Sequence, residues 1–498
     1  MKYKSTRSSQ EIAVSSAVAI KNGLAPDGGL YMPETIPTLT YEELAALSDM
    51  SYPERAARIL SLYLTDYTEE ELLSDCRLAY GEDRFPGGAA PLCEVDPTVT
   101  ALELWHGPTC AFKDMALQIM PLLLSRALKK TGETRTALIL VATSGDTGKA
   151  ALEGYRDVDG VKILVFYPTD GVSRIQKLQM ITQEGGNVGV LGIYGNFDDA
   201  QSGVKRIFGN EDIRETLDRH GVFLSSANSI NWGRLAPQIA YYVSAYCDMV
   251  RSGRIKMGDT LDVAVPTGNF GNIFAAYLAR QMGVPLGRLI CASNKNNVLT
   301  DFLDAGVYDR RRAFHATASP SMDILISSNL ERLLFVCFGP ERTKECMELL
   351  SKTGVYSLAE EEMQKISSVF SGYFCNEEET AECIRSAFSQ YGYLMDTHTA
   401  VGYGAARKHL ATAGGDTPIV LASTASPYKF APAVYLAATG NEVADGTEAQ
   451  TALKTVSGAP IPPQLCGLSE KPILHPGVIA PDAMEEAVLS FAGVSTSM

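Results

Sequence analysis

Lys113 stands in a nearly apolar stretch, Glu103-Leu-Trp-His-Gly-Pro-Thr-Cys-Ala-Phe-Lys-Asp-Met-Ala116, with one acid, Asp114, directly after it. A lysine held out of water gives up its proton more readily, and the free amine can condense with a carbonyl group to form a Schiff base. The plain alternative is a lysine whose stem packs on apolar neighbours while its ammonium stays in water. The other polar loops decide between the two. Gly268-Asn-Phe-Gly-Asn272 follows the apolar run Leu261-Asp-Val-Ala-Val265 and precedes an Ala-rich helix. Glycines there let the backbone approach a ligand, and the N–H groups of Gly268, Asn269, Phe270, Gly271 and Asn272 at a helix start suit a phosphate. An ordinary strand-to-helix turn uses the same residues.

Ser144-Gly-Asp-Thr-Gly148 has the same placement, with Ser144, Gly145, Asp146 and Thr147 as its polar or flexible members. Lys149 after Gly148 imitates a nucleotide-binding P-loop, but Thr143 and Ala150 stand where that motif needs a Gly and a hydroxyl residue, so the nucleotide reading fails. Ser225-Ser-Ala-Asn-Ser-Ile-Asn-Trp-Gly-Arg234 is rich in neutral donors and ends on an arginine. Asn228, Asn231 and Arg234 form a suitable set for a phosphate ester, and they equally describe a polar turn beside a solvated arginine. Arg174, in Val172-Ser-Arg-Ile-Gln-Lys177, is a second arginine of this kind. Ser423-Thr-Ala-Ser-Pro-Tyr-Lys-Phe430 offers hydroxyls at a strand end, which also reads as a helix cap. His398 reads as a hydrogen-bonded structural residue.

These loops need a scaffold that presents them together. From Thr136 onward, short apolar runs alternate with polar loops and helices: Ala137–Ala142, Val161–Tyr167, Asn187–Tyr194, Leu261–Val265 and Pro418–Ala422. Runs that are apolar throughout indicate strands buried on both faces, and strand–loop–helix repeats indicate right-handed crossovers and parallel, doubly wound sheets. Ligands bind such sheets at the carboxyl ends of the strands, where the loops above lie. Residues 1–97 differ, with helical periodicity in Tyr41–Leu47, Pro53–Tyr63 and Glu69–Leu78, and read as a mainly helical N-terminal unit. A catalytic region over 98–440 follows, its smaller α/β part roughly 115–215. Residues 441–498 read as a covering segment.

With 498 residues, the chain exceeds a single simple core. Its formal charge of −15 disfavours nucleic acid as a partner, and an anionic ligand would need local donors against that field. No apolar run is long enough to span a bilayer, and the first residues carry no secretory apolar core. The 10 cysteines include no C-x-x-C pair, which fits reduced thiols in a cytoplasmic protein. The 6 histidines show no metal-ligand spacing, so no metal is expected.

The Lys113 stretch resembles the cofactor-lysine signature of the threonine synthase family, and the resemblance runs from Tyr3-Lys-Ser-Thr-Arg7 almost to Pro472. It implies a fold-type II, tryptophan synthase β-like architecture: two doubly wound parallel-sheet domains with a mainly helical N-terminal extension. It implies pyridoxal 5'-phosphate (PLP) bound through Lys113, with the cofactor phosphate in the 268–272 loop. Thr424, with Ser423 second, would face the ring nitrogen, and Asp146 the 3-hydroxyl. Ser144, Gly145 and Thr147 would hold the substrate carboxylate. Asn228, Asn231 and Arg234, or Arg174, would hold the substrate phosphate. Asp146 stands where many fold-type II relatives have Asn and in this resembles the longer-chain threonine synthases; a carboxylate there repels a phenolate unless one of them holds a proton. One departure stands out: Ser426 and Tyr428 replace the family's usual His and Ala. The implied reaction converts O-phospho-L-homoserine and water to L-threonine and phosphate, in a monomer or homodimer with no nucleic-acid or membrane partner. A PLP-dependent threonine or serine dehydratase, or a non-catalytic binder of phosphorylated amino acids, would share much of this pattern.

Overall fold

The computed structural model describes residues 1–10, 12–169, 172–414 and 416–494. The apolar runs become the strands of two sheets. The large sheet is ordered Phe370–Phe374, Leu286–Ser293, Leu261–Pro266, Ile419–Ser423, Val99–Glu103 and Leu92–Glu94. Its members are parallel except for the edge strand Leu92–Glu94, which runs antiparallel to Val99–Glu103. The small sheet is ordered Val478–Ile479, Val188–Ile193, Val161–Pro168, Thr136–Ala142 and Val222–Ser225, all parallel. Thr136–Ala142 shows why its sequence is apolar throughout. Ala137, Ile139 and Val141 join the main core on one face, while Leu138 and Leu140 join a separate cluster with Val204, Met484 and Val488 on the other.

The N-terminal helices are legible from their caps. Thr40 and Glu43 form a reciprocal capping box at Tyr41–Ser48, and Thr68 and Glu71 do so at Glu69–Tyr80. Their apolar faces do not close a core of their own. They share one with the long helix Trp232–Arg251, whose Trp232 ring lies 5.4 Å from that of Tyr3 and 5.5 Å from that of Tyr63. Arg55, buried in this seam, donates to Asp248 Oδ1 at 2.8 Å and to the Leu47 carbonyl at 2.7 Å.

Three segments cross the boundaries expected from sequence. Leu92–Glu94 belongs to the large sheet rather than to the N-terminal unit. Val222–Ser225 extends the small sheet past residue 215. Val478–Ile479 returns from the C-terminal segment to become an edge strand beside Val188–Ile193. Each is only two to four residues long, and such strands are defined by their neighbours rather than by any local pattern.

One contact sets the depth of the Lys113 loop. The short helix Asp114–Leu117 lies across the helix Asp146–Tyr155 so closely that a Cβ on Gly154 would come within 1.9 Å of the Leu117 carbonyl oxygen. The two helix starts, Lys113 and Asp146, are thereby held next to each other. Gly154→Ala should force the helices apart and lower stability by about 1–3 kcal/mol through overpacking. Chemical denaturation checks this, and an unchanged midpoint would mean the contact is soft.

Candidate active site

The loops at the carboxyl ends of both sheets converge on a cavity of about 1450 Å3, bordered by Lys113, Ser144, Arg234, Gly268, Asn272 and Thr424 among others. Lys113 caps the helix Asp114–Leu117 and is buried. Its Nζ lies 3.5 Å from Asp146 Oδ2, donates to Ser321 Oγ at 3.3 Å, and sits 5.0 Å from the centre of the Phe112 ring. Loss of solvent pushes its affinity for a proton down. Asp146 opposes that shift, while Arg234 and Lys429 add to it. The net direction is toward the free amine. Asp114 is turned the other way, accepting from the Thr109 N–H at 2.8 Å and the Thr109 hydroxyl at 2.7 Å, so it folds the loop rather than facing the cavity. Burial pushes its carboxyl up to about 6, against the pull of those two bonds.

Asp146 does not border the cavity, which departs from its expected place beside the cofactor ring. Its oxygens are taken from behind. Lys429 Nζ lies 2.8 Å from Oδ1, Gln176 Nε2 donates to the same atom at 2.8 Å, and Lys113 approaches Oδ2. Burial alone would raise the Asp146 pKa, but the ammonium groups of Lys429 and Lys113 hold it well below the usual carboxylate range. Lys429 is itself fully enclosed and donates also to the Thr109 carbonyl at 2.9 Å. An enclosed ammonium requires an enclosed anion. The carboxylate at position 146 is therefore explained by Lys429, a residue to which sequence reasoning assigned no role. Its signal was present all the same: Pro427-Tyr-Lys-Phe430 sets a lysine among apolar neighbours at a strand end, as the Lys113 stretch does.

The 268–272 loop fits a phosphate on observations of its own. All five residues border the cavity. Phe270 is held at φ 60°, in the left-handed region, immediately before the helix Gly271–Gln281. The first N–H groups of that helix have no intrahelical acceptor. Asn272 accepts from Tyr241 and Tyr242 hydroxyls, both at 2.6 Å, through Oδ1; its Nδ2 is buried without a partner among the described residues. A donor stripped of water and left unpaired is costly unless a ligand completes it. Gly268 is required for a different reason: a Cβ there would meet the Ser321 carbonyl oxygen at 2.8 Å.

At position 423 or 424 the geometry separates the two hydroxyls. Ser423 Oγ accepts from Trp105 Nε1 at 3.1 Å and meets Thr399 Oγ1 at 3.2 Å, away from the cavity. Thr424 borders the cavity, and its carbonyl accepts from the Phe112 N–H at 2.8 Å, tying it to the Lys113 loop. Ser144 and Thr147 border the cavity as well, while Gly145 packs against Gln176 behind them.

The phosphate-ester candidates separate too. Arg234 is buried, borders the cavity and donates to the Ala227 carbonyl at 2.9 Å. No carboxylate pairs with it among the described residues. Burial lowers its pKa to about 10, with Tyr155 pulling weakly the other way. Asn228 borders the same wall. Asn231 does not: its Nδ2 donates to the Ile20 and Ser226 carbonyls at 2.9 and 3.2 Å, and its Oδ1 accepts the Gly233 N–H at 2.9 Å. It caps the helix that carries Arg234, and its side chain is used up in doing so. Arg174 is excluded by position. It is exposed at the start of Arg174–Ile181, where its N–H donates to Asp445 Oδ2 at 3.1 Å, away from the cavity. Among the described residues, no cluster of His, Cys, Asp and Glu could hold a metal ion, and no helix is long and apolar enough to cross a membrane.

Three family models match the chain: threonine synthase N terminus over residues 2–80, pyridoxal-phosphate dependent enzyme over 89–424, and threonine synthase, C-terminal, over 399–477. Threonine synthase-like 1 of Homo sapiens is 39% identical over 87% of this chain, which spans 59% of that relative's length. Threonine synthase of Pseudomonas aeruginosa is also 39% identical, over 88% of this chain and 91% of its own. The crystal structure of PLP-bound threonine synthase from Brucella melitensis superposes with a TM-score of 0.87 at 37% identity, covering 99% of both chains. That of the yeast threonine synthase does so with a TM-score of 0.87 at 32% identity, again over 99% of both.

The Asp146–Lys429 pair gives a pH test. With its folded pKa depressed, Asp146 contributes stability that is present above the ordinary carboxylate pKa of about 4 and is lost as pH falls toward the depressed value. Lys429→Met removes the main compensating cation and should cost about 3–5 kcal/mol near neutral pH. The loss should shrink in mild acid, where the Asp146 carboxyl, left with the more distant Lys113 as its cation, takes up a proton more readily. Adding Asp146→Asn should restore much of the stability. Denaturation curves under both conditions check this, and a loss that is equal in both and unrelieved in the double variant would contradict it.

Proposed function

Because the chain belongs to the threonine synthase family of pyridoxal-phosphate-dependent enzymes, we propose that it converts O-phospho-L-homoserine and water to L-threonine and phosphate, with Lys113 as its cofactor lysine. The observation that carries this reading is a single cavity with two separate places for an anion. One is the 268–272 loop with the unpaired Asn272 amide. The other is the buried Arg234 guanidinium with Asn228. With the substrate carboxylate taken by Ser144 and Thr147, a PLP enzyme acting on an unphosphorylated amino acid would have no phosphate for the second place.

Bound there, pyridoxal phosphate supplies an aldehyde for an amine and a ring that accepts electrons from amino-acid carbons. The chain's residues supply binding and proton transfer. Gly268, Asn269, Phe270, Gly271 and Asn272 would hold the cofactor phosphate, and Thr424 would offer its hydroxyl to the ring nitrogen. A hydroxyl, unlike a carboxylate, makes no demand that this nitrogen be protonated. Ser144 and Thr147 would take the substrate carboxylate. Lys113 Nζ, poised toward the free amine by burial, is the group placed to move protons at the substrate's Cα and Cβ. Arg234 and Asn228 would hold the phosphate as it leaves Cγ, before water adds at Cβ. Asp146 and Lys429 stay behind the wall, where they keep a fixed charge beside Lys113 without touching substrate.

Two measurements test the assignments. Borohydride treatment of the PLP-loaded protein should fix the cofactor to Lys113, and peptide mapping that finds it on another lysine would overturn the site. Arg234→Ala should lower kcat/KM for O-phosphohomoserine by about one to two decades, the loss expected for a charge-assisted contact of roughly 1.5–3 kcal/mol, while PLP affinity stays nearly unchanged. Turnover at the parental rate would return Arg234 to a structural role. If the parent protein deaminates serine or threonine and releases no phosphate, the dehydratase reading replaces the synthase one. If it does neither, the reading as a binder of phosphorylated amino acids does.

A further inference from the structure

Among the described residues, Lys113 Nζ has one hydroxyl partner, Ser321 Oγ at 3.3 Å, and that residue plays no part in the function proposed so far. Ser321 lies in the one-turn helix Pro320–Met322 and borders the cavity. Its carbonyl oxygen packs against Gly268, so it bridges the cofactor lysine and the phosphate loop. Its backbone N–H donates to His398 Nε2 at 3.1 Å. An Nε2 that accepts must be unprotonated, so the imidazole proton is on Nδ1, which lies 2.7 Å from Asp396 Oδ2. Asp396 is wholly buried and fixed in turn by the Thr399 N–H at 3.1 Å. The string Asp396–His398–Ser321–Lys113 thus runs from the start of the helix Thr397–Ala413 to the reactive amine. An Asp that only capped its helix would not need to set the tautomer of a cavity-lining histidine.

We propose that the Ser321 hydroxyl is the resting partner of the Lys113 amine whenever that amine is not bonded to the cofactor, and that His398, oriented by Asp396, is the positioning residue that holds Ser321 in place. The proposal rests on Lys113 being the cofactor lysine. Asp146 already stands 3.5 Å from Nζ, and a lysine that alternates between bonded and free needs a partner on the other side so that this ion pair does not draw it away from the cavity. Ser321 lies on the cavity side of Nζ and Asp146 behind it, so the hydroxyl keeps the amine facing substrate. The charged groups around Nζ are Asp146 on the helix Asp146–Tyr155, Lys429 on the turn Pro427–Phe430 and Arg234 on the helix Trp232–Arg251; Asp114, next in the chain, is turned away onto Thr109. None of them is altered by changing Ser321.

The experiment follows acylation of Lys113 against pH in the full chain without cofactor, read by peptide mass spectrometry. A hydroxyl oxygen binds an ammonium more strongly than an amine, so its removal should favour the free amine. Ser321→Ala should move the half-labelling pH of Lys113 downward by about 0.5–1 unit. His398→Ala should do the same, whereas His398→Gln, whose Oε1 can accept the Ser321 N–H, should stay near the parent. In the PLP-loaded protein, Ser321→Ala should lower kcat for O-phosphohomoserine about tenfold and leave KM nearly unchanged. An unshifted labelling profile in Ser321→Ala overturns the proposal, and that variant, which loses only a half-buried hydroxyl, decides the matter even if His398→Ala does not fold. A shifted profile in a protein that makes no threonine would uphold the pairing and refute the synthase reading instead.

Discussion

The carboxylate of Asp146 faces two buried ammonium groups brought from distant parts of the chain, Lys113 and Lys429. Neither lysine could be enclosed without it, and it could not be enclosed without them. The placement of the other groups follows from this cluster. It fixes the small-sheet helix Asp146–Tyr155 against the Lys113 loop, and through the turn Pro427–Phe430 it fixes both against the large sheet. It also sets the chemistry of Lys113. One negative charge shared between two ammonium groups leaves a net positive cluster, which favours loss of a proton from the lysine that is less tightly paired. That is Lys113, at 3.5 Å from Asp146 against 2.8 Å for Lys429.

Around this cluster the fold works as a means of bringing loop ends together. The two parallel sheets present their carboxyl ends to one cavity, and its walls differ in what they offer. Glycine backbone and an orphaned amide lie on one side, a buried guanidinium on another, and hydroxyls between them. The N-terminal helices serve the site from a distance. Arg332, buried among the Tyr31, Ser229 and Ile230 carbonyls, links the N-terminal strand Tyr31–Pro33 beside them to the loop that precedes Arg234. Asn329 continues that link, its Nδ2 donating to the Asn269 carbonyl of the 268–272 loop at 3.0 Å.

The strand–loop–helix grammar, the Lys113 signature and the glycine loop were legible in the sequence because each depends on a local pattern. Thr424 ranked ahead of Ser423 in the sequence as well, but the physical reason was not legible there, since it turns on which hydroxyl Trp105 occupies. Nor was the separation of Asn231 from Arg234: the same Asn/Ser-rich stretch supplies both a helix cap and a cavity wall, and only the Ile20 carbonyl, far away in sequence, shows which amide is used up. Arg174 looked equivalent to Arg234 in composition, yet it meets Asp445 at the surface. Lys429 and Ser321 went unassigned because their partners, Asp146 and Lys113, lie hundreds of residues away in the chain.

The proposed reaction removes phosphate by breaking a carbon–oxygen bond at Cγ and then adds water at Cβ, both in one cavity. Turnover of O-phosphohomoserine in water enriched in heavy oxygen, with both products examined by mass spectrometry, tests this directly. The heavy oxygen should appear in the hydroxyl of threonine and be absent from the phosphate released. Heavy oxygen in the phosphate, with homoserine as the other product, would mean that water attacks phosphorus, and it would contradict the claim.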